Sequence, residues 1–216
     1  MGRWATKETM HERILETADR LFYGKGIRAV GVDTIADEIG ISKRTLYNYF
    51  PSKDDLIVAY LSRRFIPLAT SELPPVEQVL GAFDRLEHSF TSKAFRGCPF
   101  VNAVAELGEP THAANQLAIA FKEQRRVWFR DLLIGLGVAD PDGLATQLAL
   151  LVDGAIAAAL VRGDPGMARA AKTAARTLLT AAGVPACTDS AIAESNRSVP
   201  ARKRAARNRA ATRTRT

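Results

Sequence analysis

Hydrophobic residues recur at helical spacing along most of the chain, and the alternation typical of strands is nearly absent. The first such stripe runs from Ile14 to Phe22 and ends before Gly24. The sequence therefore predicts an all-α protein of about nine helices. Their expected ranges are about 7–24, 32–39, 43–50, 53–65, 75–91, 98–108, 111–136, 141–162 and 166–182.

Two serines and a glycine set the expected ends of the short helices near the N-terminus. Gly40 ends the second helix, because glycine accepts the left-handed backbone of a tight turn. Ser42 and Ser52 can each cap the helix that follows, and Pro51 separates those two helices. We expect residues 31–50 to form two short helices joined by a tight turn.

The net charge of +7 is concentrated at the C-terminus. Residues 188–216 hold eight basic and two acidic side chains, which leaves a charge of +1 for the rest of the chain. The chain from Pro185 onward also has few large hydrophobic residues, which predicts a disordered basic tail over residues 186–216. Evidence for a nucleic-acid partner must therefore come from local clusters in the folded part.

The composition fits a soluble globular protein, with 47% hydrophobic and 25% charged residues. Two cysteines exclude a disulfide scaffold, and we expect neither a signal peptide nor a membrane span. These features predict a cytoplasmic location. The sequence has no metal-ligand spacing, no phosphate-binding loop and no nucleophile–base pair. We therefore expect no metal, no cofactor and no enzymatic activity.

Residues 31–53 carry the most informative pattern. The apolar positions of this segment, from Ile35 to Phe50, predict a small shared core. The side chains left outside are basic, hydroxyl-bearing or aromatic, and no acidic residue lies between Glu38 and Asp54. A local positive face of this kind suits the phosphate backbone of DNA.

The same residues carry a resemblance to a known family. Residues 7–67 resemble the DNA-binding domain of TetR-family transcriptional regulators. The segments that carry the resemblance are Ile35-Ala36, Gly40-Ile41-Ser42, Thr45-Leu46-Tyr47, Tyr49-Phe50 and Ser52-Lys53-Asp54-Asp55-Leu56. Gly97 to Ala103, with Glu106, is similar to a segment of one branch of that family.

The resemblance implies three parts: a helix-turn-helix domain over 7–67, an effector-binding and dimerisation domain over 68–185, and the tail. In the family, the helix that begins here at Lys43 enters the major groove of an operator. Gly31 and Asp33 depart from the family's usual residues, so Thr34, Arg28 or Lys25 is expected to supply the contact instead. The expected DNA contacts are Thr34, Lys43, Arg44, Thr45, Tyr47, Asn48, Tyr49 and Lys53.

The second half, by the same resemblance, binds a small-molecule effector and forms a homodimer. Aromatic residues with a few polar ones suit an effector pocket, although the same spacing is typical of an ordinary core. The candidates are Phe83, Phe90, Phe100, Asn102, Glu106, Phe121, Gln124 and Trp128. The apolar helices at about 141–162 and 166–182 are the expected dimer helices, and a two-fold dimer implies a pseudo-palindromic operator.

Three functions remain compatible with these patterns. The first is a sequence-specific regulator, a repressor released from its operator by an effector. The second is an architectural DNA binder that relies on the basic tail and ignores sequence. The third is an all-α carrier or enzyme of small molecules.

Overall fold

The computed structural model describes residues 7–68 and 71–185 of the chain. These ranges contain nine α-helices and no strand, which confirms the all-α prediction. The predicted basic tail lies outside the described residues. The helices are α1 (Lys7–Lys25), α2 (Val32–Ile39), α3 (Lys43–Tyr47), α4 (Lys53–Arg64), α5 (Pro75–Phe90), α6 (Pro99–Leu107), α7 (Ala113–Gly135), α8 (Pro141–Arg162) and α9 (Met167–Ala181).

The turn between α2 and α3 has the geometry that its glycine predicts. Gly40 adopts the left-handed conformation with a φ of 77°, and its N–H donates to the carbonyls of Ala36 and Asp37. Leu46 of α3 is fully buried against α1, α2 and α4. The apolar side of this short helix is thus fixed, and its other side faces outward.

Helix α3 is about a turn shorter than the sequence predicts, because it ends at Tyr47 rather than near Phe50. Pro51 disfavours the helical conformation in the residue before it. The backbone turns after Asn48, and the Phe50 side chain is buried in the core of α1–α4. Burial of that ring and the following proline together end the helix.

The C-terminal helices form a second core, in which α8 packs between α7 and α9, and α5 packs on α9. Helix α8 is long and apolar enough to cross a membrane by length and composition, although the sequence predicted no membrane span there. The buried core helix of a soluble protein meets the same criterion, and one side of α8 lies in the second core.

The first core does not end where the N-terminal helices end. Phe100 and Ala103 of α6 and Ala114 and Ala118 of α7 are buried in the same cluster as the residues of α1–α4. Helices α6 and α7 therefore join the N-terminal helices to the second core.

The cap of α4 gives a first testable prediction. The Ser52 hydroxyl oxygen accepts a hydrogen bond from the Asp55 N–H at 3.0 Å. We expect Ser52→Ala to lower the free energy of unfolding by about 1 kcal/mol in urea denaturation, since this N–H loses its partner. Ser62→Ala, on the exposed side of the same helix, is the control. Equal stability of the two variants would contradict the capping role.

Candidate nucleic-acid interface and ligand cavities

Helix α3 presents a polar, partly basic surface to solvent. The Ser42 oxygen accepts a hydrogen bond from the Thr45 N–H at 3.0 Å and fixes the start of the helix. Arg44 is exposed and forms no ion pair among the described residues. Tyr47 and Asn48 are also exposed, one turn further along. An unpaired guanidinium followed by a phenol suits contacts to base edges and phosphates.

Lys43, beside Arg44, is not free. Its ammonium lies 3.0 Å from the Asp33 carboxylate of α2, and both side chains are largely exposed. The hydrogen bond and the charge of Asp33 raise the pKa of Lys43. An exposed ion pair of this kind stabilises the fold little, because solvent screens the two charges, so a phosphate can compete for the ammonium.

Lys53 points into the protein rather than away from it. Its ammonium donates to the Ile27 carbonyl at 2.7 Å and lies 6.0 Å from the ring centre of Phe22. Burial lowers the pKa of Lys53, while the carboxylates of Asp54 and Glu106 act in the opposite direction. A phosphate contact by Lys53 requires that this hydrogen bond to the α1–α2 turn is given up.

The other three residues expected at DNA differ in exposure. Thr34 is exposed on α2. The Thr45 hydroxyl lies 2.8 Å from the Ser42 hydroxyl and is half-buried. Tyr49 is half-buried and packs on the first core. The structure brings all eight residues to the α2–α3–α4 region, with Lys43 and Lys53 held by partners that the sequence did not reveal.

Four polar contacts connect the N-terminal part of the chain to α6, to the loop that precedes α6 and to the start of α7. The Glu106 carboxylate accepts a hydrogen bond from the Arg28 N–H at 2.9 Å. The Tyr23 hydroxyl donates to the Gly97 carbonyl at 3.0 Å and accepts from the Arg96 N–H at 2.9 Å. His112, the N-cap of α7, lies 3.5 Å from the Asp54 carboxylate.

Two of the three polar candidates for the effector pocket, Glu106 and Asn102, are used in this junction. Glu106 holds the α1–α2 turn, and Asn102 donates to the Arg96 carbonyl at 2.8 Å. Their i, i+4 spacing predicted that both side chains lie on one face of α6. The spacing did not indicate whether that face borders a ligand pocket or the backbone of neighbouring loops.

The aromatic candidates fall into two separate groups. Phe100 stacks on Phe121 with ring centres 4.0 Å apart, in the junction with α4. Phe83, Phe90 and Trp128 are buried in the second core. Gln124 is half-buried on α7. The eight candidates thus do not form a single cluster among the described residues.

The described part of the C-terminal half contains spaces that can hold a ligand. An open groove of about 740 Å³ lies between α6, α7 and α8, and of the eight candidates only Phe100 lines it. A smaller cavity of about 150 Å³ lies between α5, α7 and α8 and is lined by Arg85 and Arg125 with apolar side chains. Burial lowers the pKa of Arg125, whereas the Asp153 carboxylate raises it.

Comparison with known proteins agrees with this geometry. The sequence profile of bacterial regulatory proteins of the tetR family matches residues 14–60. The crystal structure of a TetR-family transcriptional regulator from Streptomyces coelicolor is 33% identical, with a TM-score of 0.73, and the match covers 79% of this chain and 94% of that one. The chain belongs to the TetR family.

Other transcriptional regulators match over smaller shares or at lower identity. A TetR transcriptional regulator from Legionella pneumophila is 27% identical, with a TM-score of 0.64, over 80% of this chain and 96% of that one. An uncharacterized HTH-type transcriptional regulator of Mycobacterium tuberculosis is 34% identical over 39% of this chain. This chain spans 42% of the length of that relative. The HTH-type transcriptional repressor KstR2 of the same species is 27% identical, over 60% of this chain and 68% of that protein.

Proposed function

We propose that this TetR-family chain binds an operator in double-stranded DNA and represses transcription until a small-molecule effector releases it. The observation that carries the proposal is the exposed surface of α3, where Arg44 is unpaired beside Tyr47 and Asn48. Helix-turn-helix proteins place such a helix in the major groove. The repressor named among the relatives supports the direction of regulation.

The eight residues around α3 have separate roles in this proposal. Arg44 and Lys43 contact base edges, because they stand at the exposed N-terminal end of α3. Tyr47, Asn48, Tyr49, Thr45 and Thr34 contact phosphates or neighbouring bases. Lys53 reaches a phosphate only when it leaves the Ile27 carbonyl.

We also propose a homodimer through α8 and α9, in a cytoplasmic protein. One side of α8 is apolar yet uncovered, with Leu150 65% exposed and Val161 85% exposed. Gly154 and Ala157 lie between them on the same side and are exposed too. Small residues permit close approach of two helices, and pairing α8 and α9 with a second copy gives a four-helix bundle.

Effector release then depends on coupling between the two halves of the chain. We propose that residues 7–67 act as the DNA-binding domain and residues 68–185 as the effector and dimerisation domain. The chain has one conformation that binds DNA and one that does not. An effector that binds the second conformation more tightly increases the share of molecules in it, with a coupling free energy of roughly 1–3 kcal/mol. The junction formed by Tyr23, Glu106 and His112 is the path that such a shift would use.

Selection of bound DNA from a random duplex pool at about 150 mM salt tests the proposal. The full chain and a chain ending at residue 187 are compared, since the basic tail follows that residue. Enrichment of one pseudo-palindrome by both supports a dimeric, sequence-specific regulator. Absence of enrichment, or binding only with the tail present, would contradict it and favour an architectural binder.

Replacement of Arg44 tests the site within that operator. We expect Arg44→Ala to lose discrimination at one base position in each half-site, by roughly 1–3 kcal/mol, because a bidentate contact to guanine is removed. Arg130→Ala in α7, with the same loss of charge, should bind as the unmodified protein does. An equal loss of affinity for every sequence would instead make Arg44 a phosphate contact.

A further inference from the structure

The cavity of about 150 Å³ between α5, α7 and α8 is rich in positive charge for its size. Arg85 of α5 and Arg125 of α7 both line it. The other lining residues are apolar, and no acidic side chain is among the described residues that line it. The cavity thus combines two guanidinium groups with a hydrophobic wall.

The charges of these arginines are only partly balanced by protein carboxylates. Asp153 accepts a hydrogen bond from Lys122 at 2.5 Å and one from Arg125 at 3.3 Å, so a single carboxylate serves two cations. Arg85 forms no ion pair in the described part of the chain. An anion in the cavity would therefore meet an excess of positive charge.

Arg125 is held in place, which suits a binding group. Its side chain is 15% exposed, and its guanidinium lies 5.1 Å from the ring centre of Phe121 as well as beside Asp153. Arg85, by contrast, is exposed, and its guanidinium lies 5.9 Å from the indole of Trp128. One arginine is thus fixed in the wall, and the other stands where solvent reaches the cavity.

We propose that this cavity binds a small monocarboxylate with an apolar body about the size of a benzene ring. A guanidinium pairs with a carboxylate through two parallel hydrogen bonds. A cavity of about 150 Å³ in another protein holds benzene, so the apolar part of the ligand should be about as large as a benzene ring. Phe129 and Val152, both buried, supply the surface for that part.

The groove of about 740 Å³ is a weaker candidate for an anion. Its basic residues, Lys122 and Arg126, are already paired with Asp153, Glu123 and Asp142. It has no unpaired cation among the described residues that line it.

A ligand in the small cavity would also lie close to the junction with the N-terminal helices. Arg125 packs on Phe121, and Phe121 contacts Phe65, the residue that ends α4, with ring centres 5.6 Å apart. That the carboxylate acts as the effector rests on the proposed function. Its binding to the cavity does not.

Fluorescence of Trp128 provides a direct measurement. Trp4 and Trp128 are the two tryptophans of the chain, so the full chain with Trp4→Phe reports Trp128 alone. We expect benzoate, titrated to about 10 mM because a ligand of this size binds weakly, to change the fluorescence with saturation. Benzamide, its neutral isostere, should bind about tenfold more weakly.

Variants of the two arginines locate the site. Arg85→Gln should weaken benzoate about tenfold and leave benzamide unchanged, and this exposed position keeps the fold intact. Arg125→Gln should weaken benzoate as much or more, whereas Arg130→Gln, also on α7, should have no effect. Equal binding of benzoate and benzamide, no saturable change, or insensitivity to Arg85→Gln would each overturn the proposal.

A parallel DNA-binding measurement keeps the two proposals apart. Failure of the chain to enrich any operator would contradict the proposed function. The fluorescence titration would still test whether the cavity binds a carboxylate. Binding of benzoate without a change in operator affinity would overturn its role as effector.

Discussion

Leu150→Glu combined with Ala157→Glu should abolish the proposed dimer and leave a monomer. Both positions lie on the uncovered side of α8, and Leu150 is 65% exposed. The new carboxylates should change the folding free energy of a single chain little, because both positions face solvent there. Opposite a second α8 they would be buried without partners, which is strongly unfavourable. Light scattering should then give 23.4 kDa rather than twice that mass.

Operator affinity should fall about 100-fold or more in the same variant. A dimer binds its second half-site as an intramolecular event, and that advantage is lost when the subunits separate. Ile134→Glu is the matched control, because Ile134 is a similarly exposed apolar residue that lies outside α8 and α9. A double variant that keeps the dimer mass would place the interface elsewhere. A monomer with unchanged operator affinity would contradict the two-site model of binding.

The sequence predicted the helices well where local signals coincide with their ends. Gly40 marks the end of α2, Ser52 caps α4 as expected, and α8 has the predicted bounds of 141–162. Each of these ends depends on a cap, a glycine or a proline within a few residues. The predicted end of α3 was wrong, because that end depends not only on Pro51 but also on burial of Phe50 in a core shared with other helices.

The residues of the candidate DNA surface followed from periodicity, but their partners did not. Spacing around Leu46 placed Arg44 and Asn48 outside the core. The contact of Lys53 with Ile27 spans 26 residues, and that of Glu106 with Arg28 spans 78. No local pattern encodes such contacts, since they depend on how α1, α4 and α6 meet.

The effector candidates illustrate the same limit. Aromatic residues at helical spacing indicate burial, and Phe83, Phe100 and Trp128 are indeed buried. Spacing does not indicate which buried ring borders an empty volume. Arg85 and Arg125, which line the small cavity, carried no signal in the sequence because arginine on an amphipathic helix is usually solvated.

Phe100→Ala should be the most destabilising single change at the junction of the two halves. Phe100 is fully buried, stacks on Phe121 and lies edge-on to Phe65 with ring centres 6.1 Å apart. Truncation removes the contacts among α4, α6 and α7 at one point and leaves a cavity. We expect the free energy of unfolding to fall by about 3–5 kcal/mol, a large share of the 5–15 kcal/mol typical of a domain.

The adjacent residue separates this effect from a general loss of helix α6. Val101 is 50% exposed, so Val101→Ala should cost well under 1 kcal/mol in the same urea denaturation. A loss for Phe100→Ala as small as that for Val101→Ala would show that the aromatic cluster does not hold the halves together. A large loss confined to Phe100 would show that the packed ring, rather than α6 as a whole, holds the two halves together.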